Sequence, residues 1–188
     1  MQKPARALIL LLLLVAGTGL ARPVRIILLR HAEKPPGESE ASLSERGKVR
    51  ARALAALLTT ESVVATNGQP AALFAPKVTR TGRTLRPGQT LQPLGERLTL
   101  PVQTPYGARD YAALAKRILS DPALDGQTVV ICWTHDYLPA LAKALGVKPK
   151  PARWKASVYD RVWIVTYKGS KAVLSDLPQH LLPGDSTR

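Results

Sequence analysis

Apolar positions along the chain fall into short blocks with two different periods. Val24–Leu29 and Thr128–Trp133 are mostly apolar runs of strand length, the second rich in Val and Ile, and both read as buried strands. Ala71–Ala75 is a third such run, ending before Pro76, and the segment "LPVQTPYG" has room for a short strand. Between them the spacing turns helical. Leu43, Val49, Ala53, Leu54, Leu57 and Leu58 recur at helical intervals with Lys48, Arg50 and Arg52 between them. This predicts a helix over Ser44–Thr59 with a capping box from Ser42 to Glu45. Further helices are expected over Gly88–Leu98, Asp110–Leu119 and Leu138–Leu145, the last closed by Gly146. The basic stretch "PKVTRTGRTLRPGQT" reads as a loop. The segments "DRVWIVTYKG" and "KAVLSDL" read as a hairpin turning at Lys168–Gly169–Ser170.

Strands alternating with helices predict an α/β domain over residues 22–188, a three-layer α/β/α arrangement. Its central sheet is mainly parallel, and a C-terminal antiparallel hairpin extends one edge. Ligands of such sheets bind beyond the carboxyl ends of the strands. The residues that follow each strand are therefore the ones to inspect. Arg30 and His31 follow the first strand, and His135 and Asp136 follow Thr128–Trp133. If those strands are neighbours, two of the chain's three histidines face one crevice. The third, His180, lies in a polar tail and is given no role.

Residues 1–21 change the setting. Lys3 and Arg6 precede an apolar run from Ala7 to Val15, and Gly19 and Ala21 stand as for cleavage after Ala21. This is the pattern of a secretory leader, and its apolar run is shorter than the roughly 20 residues that span a bilayer. An exported protein, periplasmic or secreted, is expected. Its single cysteine, Cys132, lies within "TVVICW" and reads as a buried thiol. The net charge is +14. That excess suits anionic small molecules or electrostatic contact with an anionic envelope surface. Nucleic acid is not expected, because the basic residues are dispersed and only 5% of residues are aromatic. No Cys/His cluster has zinc-ligand spacing, no Walker sequence or magnesium-type carboxylate cluster occurs, and no Gly-x-Ser-x-Gly elbow is present. Neither a metal nor another cofactor is expected. Oligomeric state has no signal in the sequence.

The chemistry these strand-end groups suit is phosphoryl transfer. A neutral imidazole is a competent nucleophile near neutral pH. The transition state spreads charge over equatorial oxygens that arginine forks and a second histidine can match.

Four blocks carry a resemblance. "LLRHAEKP" resembles the Arg-His-Gly signature of the histidine phosphatase (phosphoglycerate mutase-like) superfamily, with Ala32 in place of the glycine. "LSERGKVRARALAALL" resembles the segment that opens the first helix. "RPGQTLQPLGERL" resembles the stretch that brings a second arginine, and "VVICWTHDYLPALAKALG" the strand, second histidine and following helix. They stand in family order from Val24 to Gly146. The resemblance implies that His31 is the nucleophile and forms phosphohistidine, with Arg30 and Arg86 binding the phosphoryl group and His135 completing the pocket. Arg80 and Arg83 are rivals of Arg86, which alone has the Gln89-Thr90 spacing. The general acid is left among Asp136, favoured by its place directly after His135, Glu33 and Asp110. The implied activity is a metal-independent phosphatase acting on a small phosphorylated substrate of the envelope. The chain has no large cap insertion, so an open pocket is expected. The alternative is a non-catalytic module that binds a phosphorylated sugar or lipid headgroup.

Overall fold

A computed structural model of the chain describes residues 22–37, 41–60, 68–80 and 84–186. The expected leader, and Arg83 among the candidate residues, lie outside the described residues. Six strands form one sheet in the order β3-β2-β4-β1-β5-β6. They are β1 (Arg25–Arg30), β2 (Pro70–Phe74), β3 (Val102–Gln103), β4 (Thr128–Trp133), β5 (Arg161–Lys168) and β6 (Lys171–Pro178). The pairs β1–β4, β2–β4 and β2–β3 are parallel, while β5 runs antiparallel to both β1 and β6. The expected α/β fold is therefore present, with a mixed, mostly parallel sheet and the antiparallel C-terminal hairpin at one edge. Lys168 pairs with Lys171, which leaves Gly169 and Ser170 as the turn. Gly169 takes a φ of 58°, a backbone that favours glycine in a two-residue hairpin.

Strands β1 and β4 are buried along their full length. Their side chains alternate between two cores. Ile26, Leu28, Val129 and Ile131 pack with Leu114, Ile118, Leu138 and Leu141, and so meet helices α3 (Tyr111–Ser120) and α4 (Leu138–Ala144). Ile27, Leu29, Val130 and Cys132 pack on the other face with Leu54, Ala55, Leu91 and Leu94, from α1 (Glu45–Leu57) and α2 (Leu85–Leu98). This produces the three layers. Among the described residues, no helix is long and apolar enough to cross a membrane.

Three local expectations need correction. The cap of α1 is Ser44, whose hydroxyl accepts from the Gly47 amide at 3.1 Å, and not Ser42. The buried face of α1 is Gly47, Arg50, Ala51, Leu54 and Ala55, with Val49 exposed. The helix is rotated because buried ion partners hold Arg50 inward. Finally, α2 begins at Leu85, so Arg86 sits in a helical first turn and not in a loop. Pro87 fits there because first-turn amides have no helical acceptor.

Candidate active site

The parallel pairing of β1 with β4 brings the site together. Arg30 is in register with Trp133, and the His31 amide donates to the Trp133 carbonyl at 3.3 Å. His31 and His135 thus leave the same end of adjacent strands, as the sequence suggested. The His31 side is fixed from two directions. On one, the Ala32 amide donates to Thr90 Oγ1 at 2.9 Å, and that hydroxyl donates to the Arg86 carbonyl at 2.8 Å. Gln89 Oε1 accepts from the Leu43 amide, and Arg86 Nε donates to the Ser42 carbonyl at 3.1 Å. The Arg-x-x-Gln-Thr spacing is therefore a clasp between α2 and the chain after His31. On the other side, the Ser44 amide donates to the Glu33 carbonyl at 2.9 Å. Gly47 permits this approach, since a Cβ there would collide with the Glu33 carbonyl.

His31 is only 7% exposed. Its Nδ1 lies 2.7 Å from the Ala32 carbonyl oxygen. A carbonyl only accepts, so Nδ1 carries the proton and Nε2 holds the lone pair. Burial pushes the His31 pKa down to about 4, opposed by the bond to Ala32 and helped by the charges of Arg30 and Arg86 and by His135. The imidazole is therefore neutral, with a nucleophilic Nε2, from mildly acidic pH upwards. Burial, followed by the charge of Arg30, also lowers the pKa of His135.

Arg30 is 2% exposed. Its Nη1 donates to the carbonyls of Lys155, Ala156 and Val158, at 3.2, 2.6 and 2.8 Å, and its guanidinium lies 3.8 Å from the centre of the Tyr159 ring. The same ring is 6.0 Å from that of His31. Arg30 Nε, Thr134 Oγ1 and His135 Nδ1 are buried and find no hydrogen-bond partner among the described residues. All three stand at the ends of β1 and β4. Unpaired buried polar atoms cost about 1–3 kcal/mol each and are rare in folded proteins. A cluster of them at one strand end marks a place built for a polar ligand. His135 Nδ1 is 3.2 Å from Asp136 Oδ1, a contact that is an ion pair only when the imidazole is protonated.

The other candidates separate. Asp136 is mostly exposed, beside His135 and 4.0 Å from Arg153. Asp110 lies before α3 and accepts from the Gly107 amide at 3.1 Å. Glu33 is committed to Arg50, whose Nε lies 3.0 Å from both carboxylate oxygens, and to Arg46. Burial would raise the Glu33 pKa, but the bonds from Arg50 and Arg46 outweigh it and lower the value. A carboxylate so held is a poor proton donor, which leaves Asp136 and Asp110 as the candidates for an acid role. Arg80 is exposed in the segment after β2. Arg86 acts on His31 electrostatically and is clasped to its loop. Accordingly, Arg86→Ala should weaken inorganic phosphate binding about tenfold or more by calorimetry, while Arg80→Ala should change it little. Equal losses would mean that the wrong arginine has been chosen.

Three residues with no role in the sequence reading shape the site. Tyr159 has the Arg30 guanidinium over its ring and lies tilted against the His31 ring. Arg50, 2% exposed, donates to Glu33, to Asp185 and to Gln179 Oε1 at 2.9 Å. Gln179 in turn donates to the Tyr159 and Arg161 carbonyls. One guanidinium therefore ties the loop after His31 to the segment carrying Tyr159. A groove of about 310 Å³ between α1 and α2, lined by Leu43, Ala51, Arg52, Gln92 and Pro93 among others, contains no histidine. His31 and His135 stand at the strand ends instead.

No family model matches the chain, and no curated protein matches its sequence. Solved structures do. The phosphate complex of the mycobacterial glucosyl-3-phosphoglycerate phosphatase is 18% identical, with a TM-score of 0.55 over 80% of this chain and 95% of that one. The VO3 complex of the same protein has a TM-score of 0.57 at 18% identity, over 80% of this chain and 96% of that one. The alpha-ribazole phosphatase of Shigella flexneri is 17% identical, with a TM-score of 0.50 over 82% of this chain and 96% of that one. These neighbours are members of the histidine phosphatase superfamily, and at such identity the likeness shows a shared fold.

Proposed function

We propose that the protein is an exported phosphatase that hydrolyses a phosphomonoester through a phosphohistidine on His31. The observation that carries this reading is the meeting of a neutral His31, its Nε2 bearing the lone pair, with unpaired buried polar atoms of Arg30, Thr134 and His135. The fold shared with histidine phosphatases supports it, as do solved neighbours that hold inorganic phosphate and VO3.

In the first step Nε2 attacks phosphorus and the bond to the leaving oxygen breaks. Arg30, Arg86 and His135 offer donors or positive charge to the equatorial oxygens, so compensation of charge is preorganised. Asp136, at the exposed mouth, gives a proton to the departing oxygen. Water then attacks the phosphohistidine, Asp136 takes its proton, the N–P bond breaks and phosphate leaves. Asp136→Asn should slow an alkyl phosphate about 10²-fold or more and an activated aryl phosphate much less, read as kcat for each ester. Uniform loss, or none, would move the acid role to Asp110.

The overall test is hydrolysis of an activated aryl phosphate at mildly acidic to neutral pH with chelator present. Chelator-resistant turnover supports the reading. Phosphate binding without turnover of any ester would favour a binding module. Export has its own test: the amino terminus of the protein recovered from outside the cytoplasm should be Arg22, and full-length protein retained in the cytoplasm would contradict it.

A further inference from the structure

The loop that closes the site from the β5 side carries more than the Arg30 contact. Trp154 is 4% exposed, its ring lies 4.7 Å from that of Trp163, and its Nε1 donates to the Val158 carbonyl at 2.9 Å. This indole anchors the segment in the core. Its two sequence neighbours, Arg153 and Lys155, are both exposed cations held by that anchor. The Lys155 and Ala156 carbonyls grip Arg30, so the segment is also fixed against the nucleophile's own strand. Arg153 reaches to 4.0 Å from Asp136 Oδ1. That contact is long and exposed, and such pairs contribute little to stability. It does not account for the arginine's position.

Lys34 is exposed and stands three residues after His31. Its charge and that of Arg153 both act on His135, helping to lower its pKa after burial and Arg30 have done so. Among the described residues, the carboxylates that act on Arg30 are Asp136 and Glu33, and Glu33 is already neutralised by Arg50 and Arg46. Among the described residues, Lys34 and Arg153 thus add positive charge beside His135, where Asp136 is the carboxylate not held by Arg50, and the Lys155 backbone adjoins them on Arg30. His31 lies buried at the floor. In-line attack from its Nε2 sends the leaving group outward, towards this rim.

We propose that Lys34, Arg153 and Lys155 form a subsite for a second anionic group, carried on the leaving group of the substrate. This rests on the phosphatase reading and narrows it, to phosphomonoesters whose leaving alcohol is itself negatively charged. The anchored indole fixes the backbone that carries Arg153 and Lys155, whereas most of the net charge lies on a dispersed basic surface.

Two aryl esters of similar shape test this: 4-carboxyphenyl phosphate and its neutral isostere 4-carbamoylphenyl phosphate. At low ionic strength the wild-type protein should show a kcat/KM for the charged ester about three- to tenfold above that for the neutral one, shrinking as salt screens the rim. In Arg153→Gln/Lys155→Gln the ratio should fall towards one, chiefly through KM. Lys168→Gln/Lys171→Gln removes the same charge at the far hairpin turn and should leave the ratio as it was. An equal fall in that control would overturn the proposal in favour of diffuse charge. An unchanged ratio in the Arg153/Lys155 variant would also overturn it. If wild-type protein hydrolyses neither ester, the phosphatase reading fails on its own account. Calorimetric titration of the same esters then decides the subsite: tighter binding of the charged ester that is lost in the Arg153/Lys155 variant retains it, and equal binding refutes it.

Discussion

His31→Ala is expected to reduce aryl phosphate hydrolysis by about 10⁴-fold or more, the scale on which loss of a nucleophile reduces covalent catalysis. The fold should survive. The substitution removes one ring from a strand end and leaves the Ala32 carbonyl without its donor, at a cost of about 1–3 kcal/mol. Circular dichroism and denaturant titration would confirm that the variant is folded. Retained activity in a folded His31→Ala protein would remove His31 from the mechanism.

The pH dependence carries the same assignment. With its pKa held down to about 4, His31 is deprotonated throughout the mildly acidic range. The enzyme-derived acid limb of kcat/KM should therefore fall near pH 4, well below the ordinary histidine value of about 6.5. Stability follows the same sign. The folded-state pKa lies below the unfolded one, so the contribution of neutral His31 is complete above about pH 6.5 and is lost as pH falls towards 4.

Arg50→Met should produce the largest loss of stability, about 3–5 kcal/mol, because it leaves buried carboxylates without their counter-charge. Arg50 is 2% exposed, and the side chains of Glu33 and Asp185 are 12% and 4% exposed. Burial would raise the Asp185 pKa, but the bonds from Arg50 and from the Leu182 and Leu181 amides outweigh it and bring the pKa down to about 2. The network's contribution is therefore present above the ordinary carboxylate pKa of about 4 and fades as pH falls through about 2. Wild-type stability should show that acid dependence, and the Arg50→Met protein should show less of it. Catalysis should suffer too, since Glu33 lies two residues from His31 and Gln179 holds the Tyr159 carbonyl. Arg50→Lys, which keeps the charge but not the fork, should fall between the two. A loss under 1 kcal/mol in Arg50→Met would mean that the network is screened by solvent and does not brace the site.

Residues whose role follows from local pattern were legible in the sequence. The bounds of Thr128–Trp133 are legible because a parallel strand buried on both faces reads as a near-continuous apolar run. Strand polarity puts His31 and His135 at the same end of the sheet, and the pairing of β1 with β4 supplies the adjacency that the sequence left conditional. Arg86 kept its motif spacing even though its turn was read as a loop, since Pro87 and Gly88 signal a break in most contexts and an entry only at a helix start. Arg50 was hidden for a different reason. Its partners Gln179 and Asp185 lie 129 and 135 positions away, and no local periodicity reports a partner at that range. Helical spacing placed Arg50 outward with Val49 inward, and the ion network reverses them. Tyr159 was likewise out of reach, because its contact with Arg30 exists only once β5 pairs with β1.

The central claim is a covalent phosphohistidine at one named atom. Its most direct test is to mix the protein with an aryl phosphate, quench rapidly in alkali, where phosphohistidine survives, and map the modified peptide by mass spectrometry. The mechanism predicts a single phosphoryl group on His31, labile to acid and absent from His31→Ala. Turnover with no label on His31, or with the label on another side chain, would contradict it.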